Sequence, residues 1–458
     1  MFSDLLLRKL WITFILIGIV LGASFGFWQQ YQLESKVLLP PNILILSFCS
    51  LRFEDLDASP ELQSLKKESY FFSNSFAKHS WVNLFQYLYR SVNPQTLKSK
   101  GYALVGLQPD WPATVVPPGE DSPENYGELN ENFSLDFKPA LSKIKSQLLA
   151  QNLKPFYAFI HFRYLHYPLI DRLNKEAAWD FFLSNSEKVY IQKVLADPVK
   201  YRSKLPLLLM LSGSPDLLRQ FPEIEIPSRS RSEAFLKQYA FFSDPVYLKR
   251  WQEDADFAKD LRILRQIYRA KLRYFTSQIA DLLNLYNNNE LQKKTLLIIV
   301  GDHGESLMEH DVLGHSFNVF DETLRVPLMI KLPGKQEKEP PLISAQFFTG
   351  AIAQFINLVA SGNLPTEALI KEMTLSLSNE LIVSRNCNNT QMGIRYKNQW
   401  KLIKDFSGAE NKLFNLTIDP SEKINVIAFN KNVAAKLELQ LNQHLLDLGQ
   451  VWDLSHCL

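Results

Sequence analysis

The apolar run Thr295-Leu296-Leu297-Ile298-Ile299-Val300 passes directly into Gly301-Asp302-His303-Gly304-Glu305, with Gly314-His315 a few residues on. So short a run of β-branched and aliphatic residues, closed by glycine, predicts a strand buried on both faces of a parallel sheet. Open α/β sheets bind ligands at the carboxyl ends of such strands, where Asp302 and His303 stand. A carboxylate beside an imidazole suits a divalent metal. The two glycines let the backbone turn sharply enough for both side chains to converge. The same pattern also fits an Asp that caps the next helix beside a solvated His.

Further along come Asp321-Glu322-Thr323-Leu324-Arg325-Val326-Pro327-Leu328 and Met329-Ile330-Lys331-Leu332-Pro333-Gly334. Together with the Asp-His-Gly-Glu motif, these resemble the sulfatase family of the alkaline-phosphatase superfamily. Pro41 to Ser47 resembles the family's first strand. Phe156 to His161, followed by His166-Tyr167-Pro168-Leu169, resembles the strand that ends near a substrate-contacting His. Tyr268-Arg269-Ala270-Lys271-Leu272 resembles the opening of a long family helix. Arg395 to Ile403, Leu413 to Leu416 and Asp419 to Glu422 resemble its small carboxyl-terminal sheet.

The resemblance implies an α/β fold, with a central, mostly parallel sheet, helices on both faces and a small C-terminal antiparallel sheet. It places the sulfatase-like α/β domain at residues 40–336 and its C-terminal part at 342–458, with a hinge-like stretch at 337–341. It implies metal ligands at Asp302 and His303, with calcium, magnesium, manganese or zinc as the ion. It also implies a cationic cleft of Arg52, Lys78, His79, His166 and His315 around an anionic ester, held by charge-assisted hydrogen bonds.

Two positions depart from the family pattern. Where the first strand should end in metal-binding aspartate before Leu-Arg, the chain reads Phe48-Cys49-Ser50-Leu51-Arg52. A thiolate at Cys49 suits a soft ion and fits calcium or magnesium poorly, and a buried Cys at a strand end also serves as a small apolar filler. The nucleophile register falls on Val82, which has no lone pair, with Ser80 two residues before it as the alternative. No Cys-x-Pro-x-Arg occurs, so formylglycine has no acceptor.

Residues 10–28 carry no charge, span a bilayer at helical rise, and have Trp11 and Trp28 at their ends. Arg8 and Lys9 place residues 1–9 in the cytoplasm, so the expectation is a single-pass protein of an inner or plasma membrane with its body extracytoplasmic. A cleaved signal peptide is the other reading. The charge of +2 gives no electrostatic case for nucleic acid. The three cysteines, Cys49, Cys387 and Cys457, show no metal-cluster spacing; a Cys387–Cys457 bridge is open.

Phe257, Leu261, Leu264, Tyr268, Leu272, Phe275, Ile279 and Leu282 mark one face of a long amphipathic helix, with Arg262, Arg265, Arg269, Lys271 and Arg273 on a solvated face. His161, inside an apolar strand, reads as a core histidine, and His310 as a loop residue. Residues 172–256 form an insertion expected to act as a lid or protein-partner surface, with an exposed loop at 228–232. Two functions follow. One is an impaired or non-catalytic relative that holds a sulfated or phosphorylated glycan or lipid headgroup, or supports a partner enzyme. The other is an active metal-dependent ester hydrolase, or phospho-headgroup transferase, with an altered nucleophile.

Overall fold

The computed structural model of the protein describes residues 40–80, 94–105, 154–162, 182–212, 244–288, 291–334, 338–377, 381–386 and 390–447, with isolated residues and runs of two or three between some of these stretches. The expected membrane segment at 10–28, the loop at 228–232, and Val82, His166, Cys387 and Cys457 lie outside the described residues. No helix among the described residues is long and apolar enough to cross a membrane.

In chain order the strands are β1 (Asn42–Phe48), β2 (Tyr70–Phe72), β3 (Ser75–Phe76), β4 (Ala103–Val105), β5 (Phe156–Phe162), β6 (Thr295–Gly301), β7 (Ser306–Leu307), β8 (Leu313–Gly314), β9 (Leu328–Lys331) and β10 (Phe347–Phe348). They are followed by β11 (Leu381–Arg385), β12 (Gln391–Tyr396), β13 (Trp400–Asp405) and β14 (Lys412–Asn415). The main sheet runs β2-β9-β6-β1-β5-β4. Its centre is parallel, as β1 pairs with β5 and β6, and β4 with β5. The β6–β9 and β2–β9 pairings are antiparallel, so the expected mostly parallel sheet is a mixed one with a parallel centre. Only about four residues of β9 and three of β2 enter the sheet here, and such short strands can return without a crossover helix.

Two cores follow from side-chain alternation. Leu44, Leu46 and Phe48 of β1 and Leu297 and Ile299 of β6 enter one apolar cluster; Ile43, Ile45, Leu296, Ile298 and Val300 enter the other. The first cluster is covered by the helix Phe257–Asn288, through Tyr268, Leu272, Phe275, Ile279 and Leu282. The second is covered by Ile352–Ala360, through Phe355, Ile356 and Val359.

The described helices of 172–256 belong to the first core. Asn185–Ala196, Leu205–Ser212 and Pro245–Gln252 contribute Ile191, Val194, Leu207 to Leu211, Leu248 and Trp251. Leu205–Ser212 is apolar around its circumference, which is tolerable only because it is enclosed. Buried Lys204 ties these helices together, bonding Asp254 at 2.6 Å and Asp260 at 2.8 Å. These parts of the insertion are structural elements of the core.

Strands β11 to β14 form the expected antiparallel sheet, backed by the helix Lys431–Asp447 through Ala434, Leu437 and Leu441. Asp321, on the short helix Asp321–Leu324, joins this sheet to the α/β core. Arg395 meets both its oxygens at 2.8 and 2.7 Å, and Lys401 meets Oδ1 at 2.7 Å.

The long helix differs from its expected solvated basic face. Arg262 bonds Glu187, Arg265 donates to the Leu307 carbonyl at 3.0 Å, and Arg269 bonds Asp55 and Asp57 at 2.9 Å. The insertion and the segment after β1 bring carboxylates to that face from far along the chain.

Candidate functional site

Parallel register brings the carboxyl ends of β1, β5 and β6 together: Phe48 lies opposite both Phe162 and Gly301, and Ser47 opposite His161. Cys49, His161 and Asp302 therefore converge, with their Sγ, imidazole nitrogen and carboxylate oxygen all within 4.8 Å of one another. Cys49 and Asp302 are buried and His161 is half-buried.

Each side chain is held from behind. Asp302 Oδ1 accepts from the His303 backbone N–H at 2.7 Å, and its Oδ2 lies 3.7 Å from His161 Nε2. The His161 Nδ1 faces Ser47 Oγ at 3.1 Å. His303 Nδ1 faces the Gly304 carbonyl at 2.7 Å, so it donates, and the neutral ring keeps a lone pair on Nε2. That Nε2 lies 3.5 Å from Cys49 Sγ. Burial holds His303 below the ordinary imidazole range, against the pull of Asp302.

The Cys49 backbone is fixed by an unusual turn. Ser50 has φ 59°, in the left-handed region that non-glycine residues seldom occupy. The Tyr268 hydroxyl donates to the Ser50 carbonyl at 2.6 Å and accepts from Arg52 N–H at 3.0 Å. The following helix segment is set by close approach. A Cβ on Gly304 would lie 2.1 Å from the Glu322 carbonyl oxygen, so only glycine lets these two chain segments meet.

His315 lies beside His303, with ring centroids 4.2 Å apart, and its Nδ1 bonds the fully buried Glu305 carboxylate at 3.0 Å. Its neighbour Ser316 donates its backbone N–H to the Ser80 carbonyl at 3.0 Å. Ser80 Oγ is buried and has no hydrogen-bond partner among the described residues.

The segment before Ser80 runs along β11. Arg385 N–H donates to the Lys78 carbonyl at 3.0 Å, and His79 and Arg385 form a parallel bridge. Lys78 and Arg385 thus stand as two crowded cations with the His79 imidazole between them in sequence and register. Burial, reinforced by the charge of Arg385, lowers the Lys78 pKa; burial and then Arg385 and Lys78 push His79 well below the ordinary imidazole range. Cations that repel one another in a desolvated place gain when an anion arrives.

The expected residues are thus partly assembled. Asp302, His303 and His315 gather at this end of the sheet, Ser80 joins them through the Ser316 backbone, and Lys78 stands two residues before it against Arg385. Arg52 is placed otherwise: it is buried, with Nε bonding Asp55 at 2.7 Å, one terminal nitrogen bonding Glu309 at 2.7 Å and the other donating to the Glu305 carbonyl. These partners commit the guanidinium to holding the loops rather than to the cleft wall. His161, expected in the core, joins the site because Asp302 arrives beside it from β6. Arg385 was not anticipated, since nothing in Leu-Ile-Val-Ser-Arg marks it; only the C-terminal sheet's docking brings it near. His310, expected to be a plain loop residue, bonds Glu322 at 2.8 Å and reaches the Ser421 and Glu422 carbonyls at 3.1 Å.

The donor set decides which ions suit it. Calcium and magnesium take oxygen ligands, about six or more for calcium. The convergent group offers one carboxylate, one imidazole and one thiol. Among the described residues, this donor set poorly suits a hard cation.

Comparison with known proteins agrees with the fold. Residues 120–358, just over half of the 458-residue chain, match the family described as Sulfatase. Arylsulfatase K of Bos taurus is 25% identical over 199 residues, covering 40% of this chain and 37% of that protein. Iduronate 2-sulfatase of Mus musculus is 34% identical over 79 residues, 17% of this chain and 14% of that protein. The matches therefore span well under half the length of these curated relatives. Among solved structures, a protein in complex with its substrate D-glucosamine-2-N,6-O-disulfate aligns at TM-score 0.58 with 16% identity, covering 90% of this chain and 97% of that one. The phosphonate monoester hydrolase of Silicibacter pomeroyi aligns at TM-score 0.54 with 14% identity, over 89% and 95%. With the ordered motifs, the mixed sheet and the family match together, the chain belongs to the sulfatase family.

Proposed function

We propose that this protein binds an anionic ester, a sulfated or phosphorylated glycan or lipid headgroup, without the family's formylglycine-dependent hydrolysis. One observation carries the reading: the β1 end that faces Asp302 presents the Cys49 thiol where a hard-ion site needs oxygen. The family binds a divalent metal, which when bound supplies Lewis acidity. Among the described residues Asp302 is the one carboxylate of the convergent group, and the thiol and imidazole beside it poorly suit calcium or magnesium. Val82 at the nucleophile register and the lack of a formylglycine acceptor support the same reading.

The crowded cations supply the binding. Lys78 and Arg385 can donate charge-assisted hydrogen bonds to sulfate or phosphate oxygens, the neutral His79 ring can donate one N–H, and the repulsion between Lys78 and Arg385 is relieved by the anion. His315 is oriented by Glu305 toward the same end of the sheet. We further propose that the 10–28 segment anchors the protein in a membrane, with the body extracytoplasmic.

A second reading rests on Ser80, whose buried hydroxyl has no described partner and lies one backbone contact from Ser316. If Ser80 attacks, the protein is a hydrolase with a relocated nucleophile.

The test is turnover of aryl sulfate and aryl phosphate by the full chain with calcium, magnesium, manganese or zinc, beside calorimetry with inorganic sulfate. Binding without turnover is expected. Turnover that disappears in both Asp302→Ala and Ser80→Ala establishes the second reading and overturns the first.

A further inference from the structure

We infer that Cys49, His161 and Asp302 form a site for a borderline transition ion of the zinc type, in place of the hard cation that the family's fold leads one to expect. The inference goes beyond ester binding and holds whether or not an ester is turned over.

Three observations carry it. The first is the donor chemistry: thiolate and imidazole select zinc and its neighbours, and one carboxylate completes a mixed set common to both. The second is spacing. Donors at about 2.0 to 2.3 Å from one tetrahedral ion lie roughly 3.3 to 3.8 Å apart. His161 Nε2 to Asp302 Oδ2 is 3.7 Å, and Cys49 Sγ lies within 4.8 Å of both donors, close enough for a small shift to complete the set. A nitrogen–oxygen separation of 3.7 Å is too long for a hydrogen bond yet suits two ligands sharing an ion.

The third is orientation. Metal-binding side chains are held by their other polar atom, which turns the donor inward. Ser47 Oγ holds His161 Nδ1, leaving Nε2 toward Asp302. The His303 backbone N–H holds Asp302 Oδ1, leaving Oδ2 toward His161. His303, with Nδ1 committed to the Gly304 carbonyl, presents Nε2 to the sulfur. Binding is a simple exchange: the Cys49 thiol releases its proton to solvent, and the thiolate pair coordinates the ion with no change of oxidation state.

The full-chain protein is equilibrated with equal calcium, magnesium and zinc, dialysed, and its metal content measured; cobalt(II) then replaces zinc for absorption spectroscopy. One zinc per chain is expected. The cobalt form should show the intense visible bands of a four-coordinate ion and a near-ultraviolet sulfur-to-cobalt band. Cys49→Ser should abolish the sulfur band and weaken zinc binding by at least about tenfold. His161→Gln should weaken zinc binding while keeping the sulfur band. The Cys387→Ser/Cys457→Ser double variant should keep the wild-type spectrum, assigning the band to Cys49. In Cys49→Asp, whose added carboxylate restores a hard donor, retention shifts from zinc toward calcium or manganese.

Retention of calcium or magnesium over zinc by the wild type, a cobalt spectrum lacking the sulfur band, or a Cys49→Ser protein with unchanged zinc affinity overturns the inference. Because these readouts need no ester, they fail or succeed apart from the sulfate-binding and turnover measurements.

Discussion

Removal of the Asp321 carboxylate should loosen the C-terminal sheet from the α/β core. Asp321 is 9% exposed, Arg395 8% and Lys401 2%. Burial alone would raise the Asp321 pKa, but Arg395 and Lys401 outweigh it and hold the carboxyl well below its usual range. At 2.7 Å and an effective dielectric near 20, each unit pair is worth about 6 kcal/mol before desolvation is subtracted. The loss is unequal. In Asp321→Ala, Lys401 keeps Glu422 at 2.6 Å, whereas Arg395 keeps only Asn398 at 3.3 Å and the face of Phe76 at 4.1 Å among the described residues. Stranding one buried cation in this way costs about 3–5 kcal/mol.

The assay is urea unfolding at pH 7, followed by tryptophan fluorescence. The sign of the pH dependence follows from the depressed pKa. The stabilisation is present above the ordinary carboxylate value of 3.8 and is lost as pH falls through the lower folded value, so the gap between wild type and variant narrows in acid. Asp321→Leu with Arg395→Met should recover most of the loss, because no charge is then stranded. A single variant within about 1 kcal/mol of wild type at pH 7 refutes the reasoning.

Gly304→Ala, whose Cβ would meet the Glu322 carbonyl at 2.1 Å, should cost about 3 kcal/mol and displace the segment that carries His303; thermal unfolding measures it. Arg385→Gln should weaken inorganic sulfate binding roughly tenfold or more in calorimetry, as one charge-assisted donor is lost, while leaving zinc content unchanged. For Glu422, burial and then the charge of Asp321 raise the pKa from 4.5 to about 7. The folded chain then holds a proton that the unfolded chain has released, so this contribution to stability is complete below 4.5 and lost as pH rises through about 7. Glu422→Gln should therefore flatten the fall in stability between these values.

The main strands could be read from the chain because each carries its own signal. In β1 and β6 both alternating sets of residues are apolar, which only a strand enclosed on two faces requires. The long helix was equally legible from its spacing. What could not be read was pairing at a distance. His161 looks like a core residue until Asp302 arrives on a neighbouring strand, and Arg52 looks available until Glu309 reaches it from beyond β7. The antiparallel return of β9 depends on how the segment after β6 doubles back, which composition does not specify. Cys49 was visible as a departure, yet its chemistry depends on an imidazole more than one hundred residues away.

The tyrosine clasp on the Ser50 turn has a consequence for how quickly this protein can respond to its surroundings. Since the helix dictates the shape of that turn, the sulfur of the proposed zinc site is aimed in advance, and ion uptake there would need no rearrangement of the chain. Cutting the clasp with Tyr268→Phe would convert a ready receptacle into one that must be moulded by its occupant, with slower uptake at a similar final geometry.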